Sequence, residues 1–432
     1  MSGRRRVAIT GIGLVTPLGN DAASTWRALL AGESGVAPIA TFDASGFPVR
    51  IAAEVKDFDP AERVEARRLL KFANRSHRFA LAAAEEAIRD AGVAPTMETA
   101  ERWGCVVGTG MMGIAFAELE SLQRSAAADG TLDAARVLDD DAANDPVVFC
   151  RSQSTSGVSL LTKRFDIRGY ATSVHTACAS GGQALGTAMK AIRRGDVDRV
   201  LAGGFDSMVN PVGLSGFCLL NAVSADNETP QRASRPFDAT RNGFVLGEGS
   251  GFLVLEEWNA ARARGAHVYA EIAGDGNSLS SYRITDSHPD GDGPIQSMQQ
   301  ALRDACADIS EVDYINAHGT STPMNDRSES AAIQRVFGEQ VAGVAVSSTK
   351  SMMGHLIAAA GAVEVAICAL AIRDGMLPVN ANLNETDPEC RLDLVRERPR
   401  SRPVRVAISN SFGFGGSNSC VALRHPELVD AR

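Results

Sequence analysis

Apolar positions along the chain gather into short β-branched runs that end in glycine or another small residue, separated by segments with apolar residues at helical spacing. In the first half the runs are Val7-Ala8-Ile9-Thr10, Trp103 to Val107, Thr172 to Thr176, Arg199 to Ala202 and Phe252 to Leu255. In the second half they are Tyr269 to Ala273, Tyr314 to Ala317, Val344 to Ser348, Arg405 to Ser409 and Cys420 to Leu423. Helices are predicted over Ala22 to Leu30 and over Ser76 to Ala91, the latter closed by Gly92. In each half the third run leads into a helix rich in small residues, Ala179 to Arg193 and Met352 to Leu370. Strands alternating with helices, twice over, predict an α/β fold of two pseudo-equivalent halves with a site where the two matching helices begin. Gly11-Ile12-Gly13 lacks the third glycine and the following acidic residue of a dinucleotide loop, so it reads as a tight turn at a strand end. The Ala- and Asp-rich stretch over 125–143 reads as a surface excursion, with Asp139-Asp140-Asp141 a solvated run rather than a metal site.

Composition narrows the class. A chain of 432 residues with 44% hydrophobic and 22% charged positions folds as two domains or as one large fold of two similar halves. The net charge of -9 argues against a nucleic-acid binder. Eight scattered cysteines with no CxxC pair suit reduced thiols rather than disulfides or zinc. No apolar run reaches membrane length, and the stretch after Arg6 is too short for a signal sequence, so the expectation is a soluble cytoplasmic protein. Against this acidic background, Arg63, Arg67, Arg68, Lys71, Arg75 and Arg78 form a basic cluster. A solvated helix face is its ordinary explanation, and an acidic protein partner the functional one.

The chemistry gathers at strand ends. Cys178, in Thr176-Ala177-Cys178-Ala179-Ser180-Gly181-Gly182, falls where a strand turns into a helix, whose start favours a thiolate. His318 stands in Asn316-Ala317-His318-Gly319-Thr320-Ser321-Thr322-Pro323, at the end of the second run of the second half, beside three hydroxyls. The third run ends in Lys350-Ser351-Met352-Met353-Gly354-His355, which takes the place in the second half that Cys178 takes in the first. The fourth ends in Phe412-Gly413-Phe414-Gly415-Gly416, a loop suited to offering amides to an oxyanion. A thiol, two imidazoles, an ammonium and an amide-bearing loop thus converge from four strand ends.

In combination these motifs resemble the β-ketoacyl-acyl-carrier-protein synthases, condensing enzymes of the thiolase-like fold, and most closely the elongating type of bacterial type II fatty-acid synthesis. The resemblance spans nearly the whole chain and implies two βαβαβαββ halves in a layered α-β-α-β-α architecture, over 1–258 with the nucleophile and over 259–432 with the two histidines. It implies that Cys178 takes the acyl chain and that His318 and His355 complete a Cys-His-His set. Lys350 would support the site electrostatically, with Glu329 the buried acidic residue near it. Phe412 would be the gating phenylalanine, its amide joining that of Cys178 in the oxyanion hole. Thr320 and Thr322 would hydrogen-bond the phosphopantetheine arm of an acyl carrier protein, the only cofactor-like group, with no metal and none bound permanently. Met111, Met112 and Phe217 would line the acyl tunnel, and Arg67, Arg68 and Lys71 would dock the carrier. A homodimer, or a heterodimer with a related subunit, is implied as well.

The activity implied is decarboxylative Claisen condensation of a Cys-bound acyl chain with a malonyl carrier protein, in fatty-acid or polyketide and polyene synthesis. The alternative is a non-catalytic chain-length partner of an active synthase, which the presence of Cys178, His318 and His355 disfavours. A degradative thiolase would need a second cysteine where Phe412 stands.

Overall fold

The first strand, β1 (Val7–Val15), is buried along its whole length and does not turn at its glycines. It runs straight through Gly11 and Gly13, with a register shift between Ile9 and Gly11. The predicted strand-end turn is therefore corrected, and the reason is helix α1 (Arg75–Ala91), which lies directly on the strand. A Cβ on Gly11 would meet the Ala87 carbonyl oxygen at 2.2 Å, and one on Gly13 the Ala83 oxygen at 1.9 Å. Only glycine permits that approach. The helix itself starts at a capping box formed by Asn74 and His77 and stops at Gly92, which takes the left-handed conformation.

The computed structural model describes residues 4–110, 116–124, 131, 135, 145–283 and 288–427. Met111 and Met112, as well as nearly all of the 125–143 stretch with its three aspartates, lie outside the described residues. Four further strands of the central sheet belong to the first half: β2 (Trp103–Thr109), β3 (Ala171–Val174), β4 (Arg199–Ser207) and β5 (Glu248–Glu257). The second half has β6 (Ala270–Leu279), β7 (Val312–Asn316), β8 (Ala345–Ser347), β9 (Val406–Phe412) and β10 (Ser417–Arg424). Spatial order is β3-β2-β4-β5-β1 in one half and β8-β7-β9-β10-β6 in the other, with a short strand at Asp393–Leu394 beyond β8. In both, the second, third and fourth strands pair in parallel and the fifth runs antiparallel to its neighbours. The halves join where β1 and β6 pair antiparallel around Ala8 and Glu271. The doubled α/β pattern of the sequence is thus an internal two-fold repeat of topology.

Helices α2 (Ser156–Phe165), α3 (Ser180–Arg194), α4 (Asp292–Ala305), α5 (Pro323–Phe337) and α6 (Ala360–Asp374) complete the two βαβαβαββ series. α3 and α6 pack on each other and on strands of both halves, while α1 and α2 cover the outer face of one half and α4 and α5 that of the other. Three hydrophobic clusters fill the spaces between these layers. The central position explains why α6 is buried from Ala360 to Ile372 on every side.

The helix expected over Met352 to Leu370 is broken. The chain makes one turn at Lys350–Met353, breaks at Gly354 (φ 68°), passes His355 and makes a second turn at Ile357–Ala359 before α6 begins. Ala177 (φ 50°) and Ile357 (φ 48°) open matching turns ahead of α3 and α6. The counterpart of Cys178 in the second half is therefore Ala358 rather than the Lys350–His355 segment. Ala358 has no thiol, and its amide donates to the Asp206 carboxylate at 3.1 Å. Among the described residues no helix is long and apolar enough to cross a membrane.

Candidate active site

Cys178 lies in the turn Ala177–Ala179 between β3 and α3, held by a residue with positive φ on its N-terminal side. Such a conformation at a non-glycine residue costs about 1–3 kcal/mol and persists only where the surroundings enforce it. His355 Nε2 stands 3.0 Å from the Cys178 sulfur. The amide of Ile357 donates to His355 Nδ1 at 3.3 Å, which places the hydrogen of the neutral ring on Nε2, facing the sulfur. The His318 ring meets the His355 ring edge-on, with centroids 5.3 Å apart. One nitrogen from each ring and the sulfur all lie within 4.8 Å of one another.

Lys350 is wholly buried, in an ion pair with Glu364. Burial drives both histidines well below the ordinary imidazole range, and the Lys350 ammonium adds to the effect. Both rings are therefore neutral hydrogen-bond donors at physiological pH. Burial also pushes the Cys178 thiol up to about 12, against the opposing pull of Lys350 and of the amides of Phe414 and Cys178 itself. The thiolate expected from a helix start is thus overridden by desolvation. Three clustered donor atoms are a geometry that a metal could use, but the ammonium beside them opposes a second cation.

A cavity of about 330 Å³ opens above this cluster. Cys178, His318, His355, Phe412 and Phe414 line it, with Thr320 and Thr322 on the wall. The two threonine hydroxyls are 3.0 Å apart, whereas Ser321, at φ 68°, turns its hydroxyl away to accept from the Arg235 amide. The three hydroxyls read from the sequence therefore reduce to two in the site. Phe217 does not line the cavity; it packs behind it, against the rings of Phe244 and Phe414.

The chain matches the Beta-ketoacyl synthase, N-terminal domain, over residues 4–261 and the Beta-ketoacyl synthase, C-terminal domain, over 269–384. The chain belongs to the beta-ketoacyl synthase family. It is 41% identical over 420 residues to 3-oxoacyl-[acyl-carrier-protein] synthase 2 of Coxiella burnetii, covering 97% of this chain and 98% of that protein. The same-named protein of Vibrio harveyi is 39% identical, with 98% and 99% covered. Among solved structures, the ishigamide ketosynthase/chain length factor aligns with a TM-score of 0.87 at 35% identity, covering 98% of this chain and 99% of that one. A type II polyketide ketosynthase bound to the hexaketide, in complex with its acyl-carrier protein, aligns at 0.86 and 32%, with the same coverage.

In this β-ketoacyl synthase two residues of the site differ from the sequence reading. Phe412 ends β9 opposite Asn418, buried with its ring 5.7 Å from that of His318. The amide directed at the Cys178 sulfur is that of Phe414, two residues on, in a turn where Gly415 and Gly416 have φ of 84° and 80°. The amide beside the sulfur, read onto Phe412 from the resemblance, is thus that of Phe414, because only the second phenylalanine lies in the glycine turn. The second residue is Glu364, which the sequence reading missed: Lys350 pairs with it and not with Glu329. A lone carboxylate inside the apolar run Ala362-Val363-Glu364-Val365 was the available signal, since unpaired buried acids are rare.

Glu329 neither lines the cavity nor touches Lys350. It accepts from the amides of His318 (2.9 Å) and Gly319 (2.8 Å) and from the Asn410 side chain (3.0 Å), fixing the loop that carries His318. Burial raises its pKa to about 7, while those three donors favour the anion. Glu329→Gln turns one of its acceptors into a donor facing an amide, at a cost of about 1–3 kcal/mol. The expected result is a fall of about tenfold in the turnover number of malonyl decarboxylation with KM little changed, read by carbon dioxide release.

Proposed function

We propose that the chain catalyses decarboxylative Claisen condensation between an acyl group on Cys178 and a malonyl group carried by an acyl carrier protein. The observation that carries this reading is the sulfur 3.0 Å from His355 Nε2 with His318 alongside, under an open cavity. In the first step the Cys178 sulfur attacks the thioester of the incoming acyl group. The amides of Cys178 and Phe414 hold the oxyanion, and the thiol proton leaves with the departing phosphopantetheine thiol. Once acylated, the sulfur no longer attracts the His355 Nε2 hydrogen.

That hydrogen and the one on His318 are then free for the thioester oxygen of the malonyl group, which gains charge as carbon dioxide leaves. Neutral donors suit this step because they stabilise the enolate without protonating its carbon. The enolate carbon attacks the acyl carbonyl, the carbon–sulfur bond to Cys178 breaks, and a β-ketoacyl thioester leaves on the carrier. Thr320 and Thr322 hold the phosphopantetheine arm, and no permanent cofactor or metal is required. The test is to incubate the protein with malonyl carrier and a panel of acyl carriers, following products and the mass of Cys178. Loss of product with every acyl donor would end the reading, and the preferred donor distinguishes a fatty-acid from a polyketide role.

Docking is assigned to Arg67, Arg68 and Lys71, which are exposed in the turn Arg67–Phe72; Arg67 and Arg68 border a groove with Lys163 and Arg164. Arg75 of the same basic cluster is instead committed to the buried carboxylate of Glu248. Charge reversal at Arg67 and Arg68 is expected to weaken carrier binding about tenfold at low salt and less at high salt, measured by titration calorimetry. Affinity unchanged at either salt would remove the role. Pairing with a second subunit, identical or a chain-length partner, and a reducing cytoplasmic setting for the eight free cysteines complete the reading.

A further inference from the structure

The loop His318–Pro323 carries both a histidine of the reaction and the two threonines that face the cavity. Its first end hangs on Glu329, through the amides of His318 and Gly319. Its other end is held by a group that the reaction does not use. Arg241 is buried, and its guanidinium donates to the carbonyl oxygens of Thr322 (3.3 Å) and Pro323 (3.0 Å). The same guanidinium donates to Asp387 at 2.7 Å and to the Asp238 carbonyl at 2.8 Å, and lies 3.3 Å from Asp326. Two carboxylates and three carbonyls therefore surround one planar fork, which accounts for the burial of the charge.

The neighbouring chain adds to this grip: the Gly243 amide donates to the Ser321 carbonyl at 2.9 Å, and the Asp326 amide to that of Thr322 at 3.2 Å. Fixing consecutive carbonyl directions at Thr322 and Pro323 fixes the backbone dihedrals between them. The Thr322 backbone is thereby anchored, and from that anchor the 3.0 Å contact with Thr320 Oγ1 sets the direction of its hydroxyl.

We propose that Arg241 is a positioning residue that sets the Thr322 hydroxyl for the phosphopantetheine arm and leaves the His318 end of the loop to Glu329. The proposal rests on the reading that Thr322 binds that arm. Its consequence is a division of labour along one loop: loss of Glu329 lowers turnover, whereas loss of Arg241 weakens binding of the carried substrate. Arg241→Lys keeps the charge for Asp387 and Asp326 but cannot reach both carbonyls with a fork.

The experiment uses the full chain, pre-acylated at Cys178 and titrated with malonyl carrier protein, comparing wild type with Arg241→Lys, Thr322→Val and the double variant. Arg241→Lys is expected to raise KM about 5- to 20-fold with kcat within about twofold, and the double variant to rise no further than the larger single one. A lowered kcat at unchanged KM, or KM effects that multiply in the double variant, would overturn the proposal. If Thr322→Val raises KM and Arg241→Lys does not, the proposal alone fails. If Thr322→Val leaves KM unchanged, the role of Thr322 fails and Arg241 falls with it. Asp387→Ala, which leaves Arg241 its Asp326 partner, guards against misfolding of the lysine variant. It is expected to raise KM about 2- to 5-fold, and a folded Asp387→Ala protein with unchanged KM counts against the proposal.

Discussion

Cys178→Ala is expected to abolish condensation while malonyl decarboxylation continues. Forming the new carbon–carbon bond needs an acyl group on sulfur, whereas releasing carbon dioxide needs only the two imidazole donors. In the wild-type protein the Nε2 hydrogen of His355 points at the sulfur 3.0 Å away. Alanine offers it no acceptor, so the hydrogen becomes available to a malonyl thioester even without an acyl group. The two activities separate cleanly in one assay that measures carbon dioxide against β-ketoacyl product, with intact mass showing that no acyl adduct forms. Removing one donor instead, in His318→Ala, should slow decarboxylation about 100- to 1000-fold, the usual cost of losing one preorganised donor to an oxyanion. Full condensing activity in Cys178→Ala would exclude the sulfur as nucleophile.

The strand ends that carry the site were legible because each strand is a short β-branched run closed by small residues. The third run of each half pointed to the helices α3 and α6, and the repeat of topology follows from that doubling. Local pattern could not show where two elements touch. Gly11 and Gly13 read as a turn because the backbone of α1, many residues later in the chain, is what demands them. The unbroken helix predicted from Met352 onward failed for a related reason: the apolar residues on either side of Gly354 fit one helical pattern, and only the left-handed glycine reveals the break that frees His355. Phe412 and Phe414 are alike in the sequence, and the pairing of Phe412 with Asn418 across the β9–β10 ladder decides between them. A helix start favours a thiolate at Cys178, and the depth of burial that opposes it is not visible in the sequence.

The same blindness to burial hid Glu364, and the pair it makes with Lys350 carries the largest expected effect on stability. Both side chains are at most 2% exposed. Lys350→Met strands a carboxylate in the apolar helix α6, and breaking a buried pair in this way costs about 3–5 kcal/mol. The penalty should depend on pH. Burial already raises the Glu364 pKa, with Lys350 opposing, so removing the ammonium raises it further. A raised folded-state value means that the native protein binds more protons than the unfolded one, so stability falls as pH rises above the ordinary carboxylate range. Denaturant unfolding of Lys350→Met should therefore show a smaller loss near pH 5 than near pH 8. Lys350→Met combined with Glu364→Leu removes both charges and should recover most of the stability, since an apolar replacement of a buried pair is often neutral. Condensing activity should not recover with it. The ammonium adds to the burial that keeps both imidazoles neutral and pulls against the rise of the Cys178 thiol, and no packing change restores that potential. A double variant that regained stability and turnover together would show that Lys350 serves the fold alone.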